Sequence, residues 1–436
     1  MRYLFICTLL SAILAVSEEF PVTNPHQFAL PPTLPSGFKV GEVTSTSAVI
    51  WTRAVPATRA SDIAESSRAG QIRVVYASDD GADTRHTAWS SAHAKNQYII
   101  NFTLRKLRPY SRYLVEIQTR STPHDRISSF SGHFSTPPSA FGHRDLRFAV
   151  LGQQAALLCE DLKRGFRTHH ALATQQYDFV IQAGRPVDYE DADFVVRDLA
   201  AAQQLWARTH NFKRAVELYR YTPSYWLRDD VSSRRARYGS FDFEDALSLF
   251  DKQTPHGGDF RTVSYGRHAQ IWFLDSRKFS NPRLHELLGH EQKVWLEKSL
   301  VASQSTFKFI ACPTPIIGPD ARLLRDSHAN GYLAEGKWLR GVLSQTPNVI
   351  ILTGNRLWQY TSHDSATGLW EFGAGPVTEA AAVSPSATES VLSKYAARSG
   401  GYLAVSVTED KDGPRCLIRH LATDGSLNFQ QALFAR

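Results

Sequence analysis

From residue 38 to residue 136 apolar and polar positions alternate over short runs rich in β-branched residues, at 40–44, 48–52, 72–76, 97–104 and 113–118. Alternation with turn residues between the runs predicts a β-sandwich of about 100 residues. Pro137-Pro138 closes that domain. Beyond residue 145 the pattern changes to apolar runs at 146–151, 178–183, 225–227, 270–274, 307–312, 349–353, 402–407 and 416–420. Stretches of helical spacing at 159–174, 199–221, 292–300 and 338–343 lie between them, and a further helix ends near Phe250. Strands alternating with helices predict a layered α/β domain. The chain contains no internal repeat.

Ahead of the sandwich, Arg2 is followed by an uncharged apolar run over 3–16, then small residues at Ala15 and Ser17 before Glu18-Glu19. The run is too short to span a bilayer and its polar boundary is sharp, so residues 1–17 read as a cleaved secretory signal. Residues 18–37 are Pro-rich and read as a linker. No later run is long and apolar enough for a membrane span, so a secreted or periplasmic protein is expected. Three cysteines follow the signal, Cys159, Cys312 and Cys416, with neither the spacing of a disulfide framework nor that of a zinc site. The formal charge of +7 falls to +6 on loss of Arg2 and is scattered apart from Arg234, Arg235 and Arg237. That balance points to no nucleic-acid partner. Asn101-Phe102-Thr103 fits a glycosylation sequon inside a predicted strand.

Candidate chemistry gathers where strands stop. In open α/β sheets ligands bind just past the carboxyl ends of the strands. The run 178–183 stops at Gly184 and Pro186, and Arg185, Asp188, Tyr189 and Glu190 follow. Three other strands end in polar loops, at Gln153-Gln154, at Asp229-Asp230 and at Asn355-Arg356. A site for two cations and a bridging water needs carboxylates and imidazoles at such points. Asp229 and Asp230 are suitable oxygen ligands, but Val231 and Ser232 follow them, and after Asn355 no imidazole comes before His363. His169-His170 lack a third ligand at useful spacing, and Ser232 and Ser233 lack His and Asp partners in register for nucleophilic catalysis. Cys159 reads as a buried thiol.

Two resemblances add to this. Leu107-Arg108-Pro109-Tyr110-Ser111-Arg112-Tyr113 resembles the tyrosine corner of fibronectin type III domains, with Trp51 as a candidate core partner. Six segments, in order along the chain, resemble the alkaline phosphatase D (PhoD-like) metallophosphoesterases. They are residues 40–53, residues 223–230, Leu288-Gly289 with Glu291-Gln292 and Trp295-Leu296, Pro313 to Asp320, Ser327-His328-Ala329-Asn330, and Gly354 with Arg356 and Trp358-Gln359-Tyr360. The resemblance implies a fibronectin type III-like β-sandwich at 38–138, then a calcineurin-like two-sheet α/β domain at 145–436. It also implies hydrolysis of phosphate mono- or diesters at a metal centre of calcium with iron.

The departures fall on the metal ligands. Where the family has S-C-Q this chain has Gly152-Gln153-Gln154, and where it has G-D-x-x-Y-Y-[DE] this chain has Gly184-Arg185-Pro186-Val187-Asp188-Tyr189-Glu190. D-D-H-D becomes Asp229-Asp230-Val231-Ser232, and G-D-R-H-W-Q-Y-H becomes Gly354-Asn355-Arg356-Leu357-Trp358-Gln359-Tyr360-Thr361. A guanidinium in place of the bridging Asp repels each unit of metal charge by roughly 4 kcal/mol, at about 4 Å and an effective dielectric near 20. Arg185 is therefore expected to take the place of the metal and pair with Asp230 or Asp188. The expected protein is a pseudoenzyme without cofactor, its degenerate cleft positions being Gln153, Arg185, Asp188, Asp230, Asn355 and Leu357. A phosphate-containing small molecule would then be held by Arg185, His328 and Arg356. The alternatives are a working phosphoesterase with one metal, such as calcium or iron, on Asp229, Asp230 and Asp188, and a secreted scaffold or adhesion module acting through the sandwich.

Overall fold

The computed structural model describes residues 30–57, 68–81, 84–191, 194–229, 237–318, 320, 324–385 and 391–435. The signal reading at 1–17, most of the linker, and Asp230 lie outside these residues.

Two sheets form the α/β part. In the first, Leu146–Leu151, Phe179–Gln182 and Ser224–Trp226 run parallel, flanked on one side by the antiparallel strands Tyr402–Asp410, Gly413–Leu421 and Leu427–Phe434. In the second, Ala269–Phe273, Phe307–Ala311, Val349–Thr353 and Leu369–Ala374 run parallel, with antiparallel strands at both margins. The sheets stack through Phe148, Phe179 and Ile181 on one side and Ile271, Phe309 and Phe372 on the other. The Phe148 and Phe309 rings meet edge to face at 5.2 Å. Helices cover both outer faces. Arg167–Ala173, Leu199–Asn211, Lys213–Tyr219 and Phe243–Gln253 bury Leu172, Trp206, Leu218 and Phe250 on the first sheet, and Gly289–Val301 with Leu333–Ser344 bury Leu296, Leu339 and Leu343 on the second. Strands buried on both faces read as unbroken apolar runs, which is why Phe179–Gln182 was legible.

The sandwich has its own core of Val40, Ile50, Ile72, Val74, Val115, Ile117 and Phe134. Its tyrosine corner is present, with the Arg108 amide donating to the Tyr113 hydroxyl at 2.7 Å. One sandwich sheet is continuous with the first α/β sheet. Phe38–Gly41 pairs in parallel with Ser224–Trp226 through Gly41 and Ser224, and Ser47–Arg53 and Ile99–Arg105 extend the sheet to nine strands.

Three local expectations are corrected. The helix expected at 159–174 is confined to Arg167–Ala173, because the Asp161 carboxylate caps a turn at Lys163 and Arg164, and Gly165 at φ +86° lays the chain against Phe212. The helix expected at 199–221 breaks at Phe212, whose extended backbone buries its ring beside Phe166. Trp51 lies outside the sandwich core. Ala48 and Ile50 face that core, and the pleat turns Trp51 the other way, where its Nε1 donates to the Lys252 carbonyl at 2.9 Å and its ring covers the Lys39 ammonium at 4.2 Å.

Candidate functional site

The parallel strands of both sheets deliver their carboxyl ends to one cleft. Glycines permit the approach, since a Cβ on Gly184 would strike the Gly354 carbonyl and one on Gly152 the Gly375 carbonyl. Gln153, Arg185 and Asn355, each one residue beyond such a glycine, and Asp229, three residues beyond the strand Ser224–Trp226, are brought together at these strand ends.

Asp188 stands at the mouth. Its two oxygens face Gln153 Nε2 at 2.6 Å and Arg185 Nη1 at 3.3 Å. Of the two pairings expected for Arg185, the one with Asp188 forms. Asp229 lies deeper and is fully buried. Arg277 donates to its Oδ1 from Nε at 2.8 Å and Nη2 at 2.6 Å, and Asn355 Nδ2 donates to Oδ2. Burial pushes the Asp229 carboxyl up, while Arg277 and then Arg185 oppose that shift.

A second tier continues from Arg277. Its Nη2 also reaches Asp326 Oδ2 at 3.1 Å, and Asp326 Oδ1 accepts from Arg356 Nη2 at 2.9 Å. Arg356 spans Asp320 in the bidentate manner, at 2.5 Å and 2.6 Å. Against its own burial, the Asp326 carboxyl is held down to about 2 by Arg277 and Arg356. Arg228, beside Asp229 in sequence, is buried against Asp275, Asp251 and Asp259.

The expected ligand contacts separate here. Arg185 keeps 20% of its side chain exposed at the mouth. His328 does not face the cleft: it is fully buried with Nε2 3.2 Å from Glu335 Oε2, and that carboxylate also accepts the Leu287 amide. Arg356 is likewise interior, its charge consumed by Asp320 and Asp326. Leu357 presents an alkyl chain, and its carbonyl accepts the Val383 amide. Sequence reasoning missed Arg277 and Asp326. Arg277 carried one signal, its place in the polar stretch that follows the strand Ala269–Phe273.

Two face-to-face sheets between helical layers, with one cleft at the carboxyl ends of strands from both, define a calcineurin-like metallophosphoesterase architecture. Comparison with known proteins agrees. A solved structure of PhoD superposes with a TM-score of 0.73 at 16% identity, over 94% of this chain and 90% of that one. A purple acid phosphatase, PPD1, isolated from yellow lupin (Lupinus luteus) seeds superposes with a TM-score of 0.59 at 12% identity, over 91% of this chain and 73% of that one. No curated protein matches. Residues 22–138 match the family described as PhoD-like phosphatase, N-terminal domain, and residues 247–405 match PhoD-like phosphatase. The chain belongs to the PhoD-like phosphatase family.

Proposed function

We propose that this chain is a secreted, non-hydrolytic member of its family, in which guanidinium groups neutralise the cleft carboxylates that a metal centre would otherwise engage. The observation that carries the reading is Asp229, whose two oxygens are occupied by Arg277 and Asn355. Among the described residues the donor set does not fit a pair of cations. Asp188 is taken by Gln153 and Arg185, Arg185 is itself positive, and Asn355 and Leu357 bring neither negative charge nor imidazole. The alternative of one metal on Asp229, Asp230 and Asp188 is disfavoured at its two described members, whose carboxylates already face Arg277 and Arg185.

A ligand role rests on Arg185. Its side chain is partly exposed at the mouth, while its Nε is buried without a hydrogen-bond partner among the described residues, so the guanidinium is not saturated and the exposed part of the side chain is placed to meet a phosphate-bearing small molecule.

The test is a hydrolysis assay with a phosphate monoester and a phosphate diester, with calcium, iron and zinc salts supplied. No turnover above the buffer control is expected, and stabilisation by inorganic phosphate should be the same with and without EDTA. Turnover that disappears in Asp229→Asn would contradict the proposal.

A further inference from the structure

A second polar cluster lies at the opposite end of the sheets. His268 immediately precedes Ala269–Phe273, and Glu409 lies near the end of Tyr402–Asp410, which runs antiparallel to Leu146–Leu151. Both mark the amino ends of the parallel strands, one strand length, roughly 16 Å for five residues, from the cleft. His143 joins them from the connection between the sandwich and the α/β sheets.

The three side chains bring their ligand atoms within 4.8 Å of one another. Glu409 Oε2 lies 3.5 Å from His143 Nδ1 and 3.3 Å from His268 Nε2. Those separations carry information. Tetrahedral zinc with bonds of about 2.0–2.1 Å holds neighbouring ligand atoms about 3.3–3.4 Å apart. His268 Nδ1 lies 2.9 Å from Thr306 Oγ1, the outer hydrogen bond that fixes the ring of a ligating histidine. His268 Nε2 accepts from Arg267 Nε at 3.0 Å, so its one lone pair is engaged by Arg267.

Arg267 also donates to Glu409 Oε2 at 2.5 Å and thus holds the atoms a metal would need. Its side chain is 49% exposed and has solvent to withdraw into. A cation already seated on these atoms marks the place as one that accepts positive charge.

We propose that His143, His268 and Glu409 form a distal site for one divalent transition cation of the zinc class, with water as fourth ligand and Arg267 as a built-in competitor. Occupied, it clips the inter-domain connection to both sheets, since Glu409 belongs to the first and His268 to the second.

The test is calorimetric titration of the untagged full chain with zinc in a non-coordinating buffer, using zinc alone as probe. One ion per chain is expected, with affinity lowered roughly tenfold or more in His143→Ala and in Glu409→Gln. Arg267→Gln should tighten binding by about tenfold, because a positive competitor is removed. His143 is 43% exposed, so its replacement leaves the core intact. No binding in the wild type, binding unaltered in His143→Ala and Glu409→Gln, or unchanged affinity in Arg267→Gln would each overturn the proposal.

Discussion

Arg277→Met is expected to lower stability by about 3–5 kcal/mol, the range found when one partner of a buried ion pair is removed. Arg277 supplies two hydrogen bonds to a fully buried carboxylate and one to a second, so its loss leaves Asp229 with Asn355 as its nearest donor. Asp229 must then stay charged at a large desolvation cost or bind a proton. The double replacement Arg277→Met with Asp229→Asn removes both charges and should recover much of the loss, a coupling that a double-mutant cycle isolates. Urea unfolding followed by tryptophan fluorescence gives the comparison. A shift below about 1 kcal/mol, the value of an exposed ion pair, would mean that Arg277 does not neutralise the cleft.

Lys39→Met is expected to act in the opposite direction, raising stability at pH 7 and below by a few kcal/mol. Lys39 is fully buried, and burial lowers its ammonium to about 7 from 10.5. Its Nζ has no hydrogen-bond partner among the described residues and rests over the Trp51 ring, with Tyr219, His169 and His210 nearby. The sign follows from proton binding. Between pH 7 and 10.5 the unfolded chain binds more protons than the folded one, so wild-type stability rises with pH over that window. The cost of burying the charge is fully present below about pH 7 and is gone above 10.5. Lys39→Met should therefore unfold at higher urea than the wild type at pH 6 and match it near pH 11. Equal gains at both pH values would show that packing, not charge burial, sets the difference. His169, lowered by burial to about 3, adds a further loss of stability in the wild type as the pH falls below 6.5.

Local pattern was enough to read the strand at 178–183, seen at Phe179–Gln182, the tyrosine corner, and one of the two pairings expected for Arg185. Each depends on neighbours within a few residues, and the structure places each as its pattern implied. What failed was longer in range. Arg277 and Asp229 are 48 residues apart, and their pairing arises only when strand ends of two sheets converge. Polar type alone suggested His328 and Arg356 as ligand contacts, but it could not say that Glu335, Asp320 and Asp326 would reach them first. Trp51 and Lys39 look like ordinary sandwich residues until Gly41 pairs with Ser224 and the shared sheet gives them a second buried face. Phe212 sits within helical spacing, yet burial against Phe166 and Gly165 outweighs one more helical turn.

Metal content of His143→Ala, purified without chelators and measured by mass spectrometry, tests the replacement of metal by arginine most directly. That variant weakens the distal cluster, so an ion retained in the variant and lost in Asp229→Asn is assigned to the cleft. Calcium, iron and zinc at background level in a folded sample are the predicted result. One or two ions per chain, retained in His143→Ala and lost in Asp229→Asn, would contradict it and restore a metal centre to the cleft.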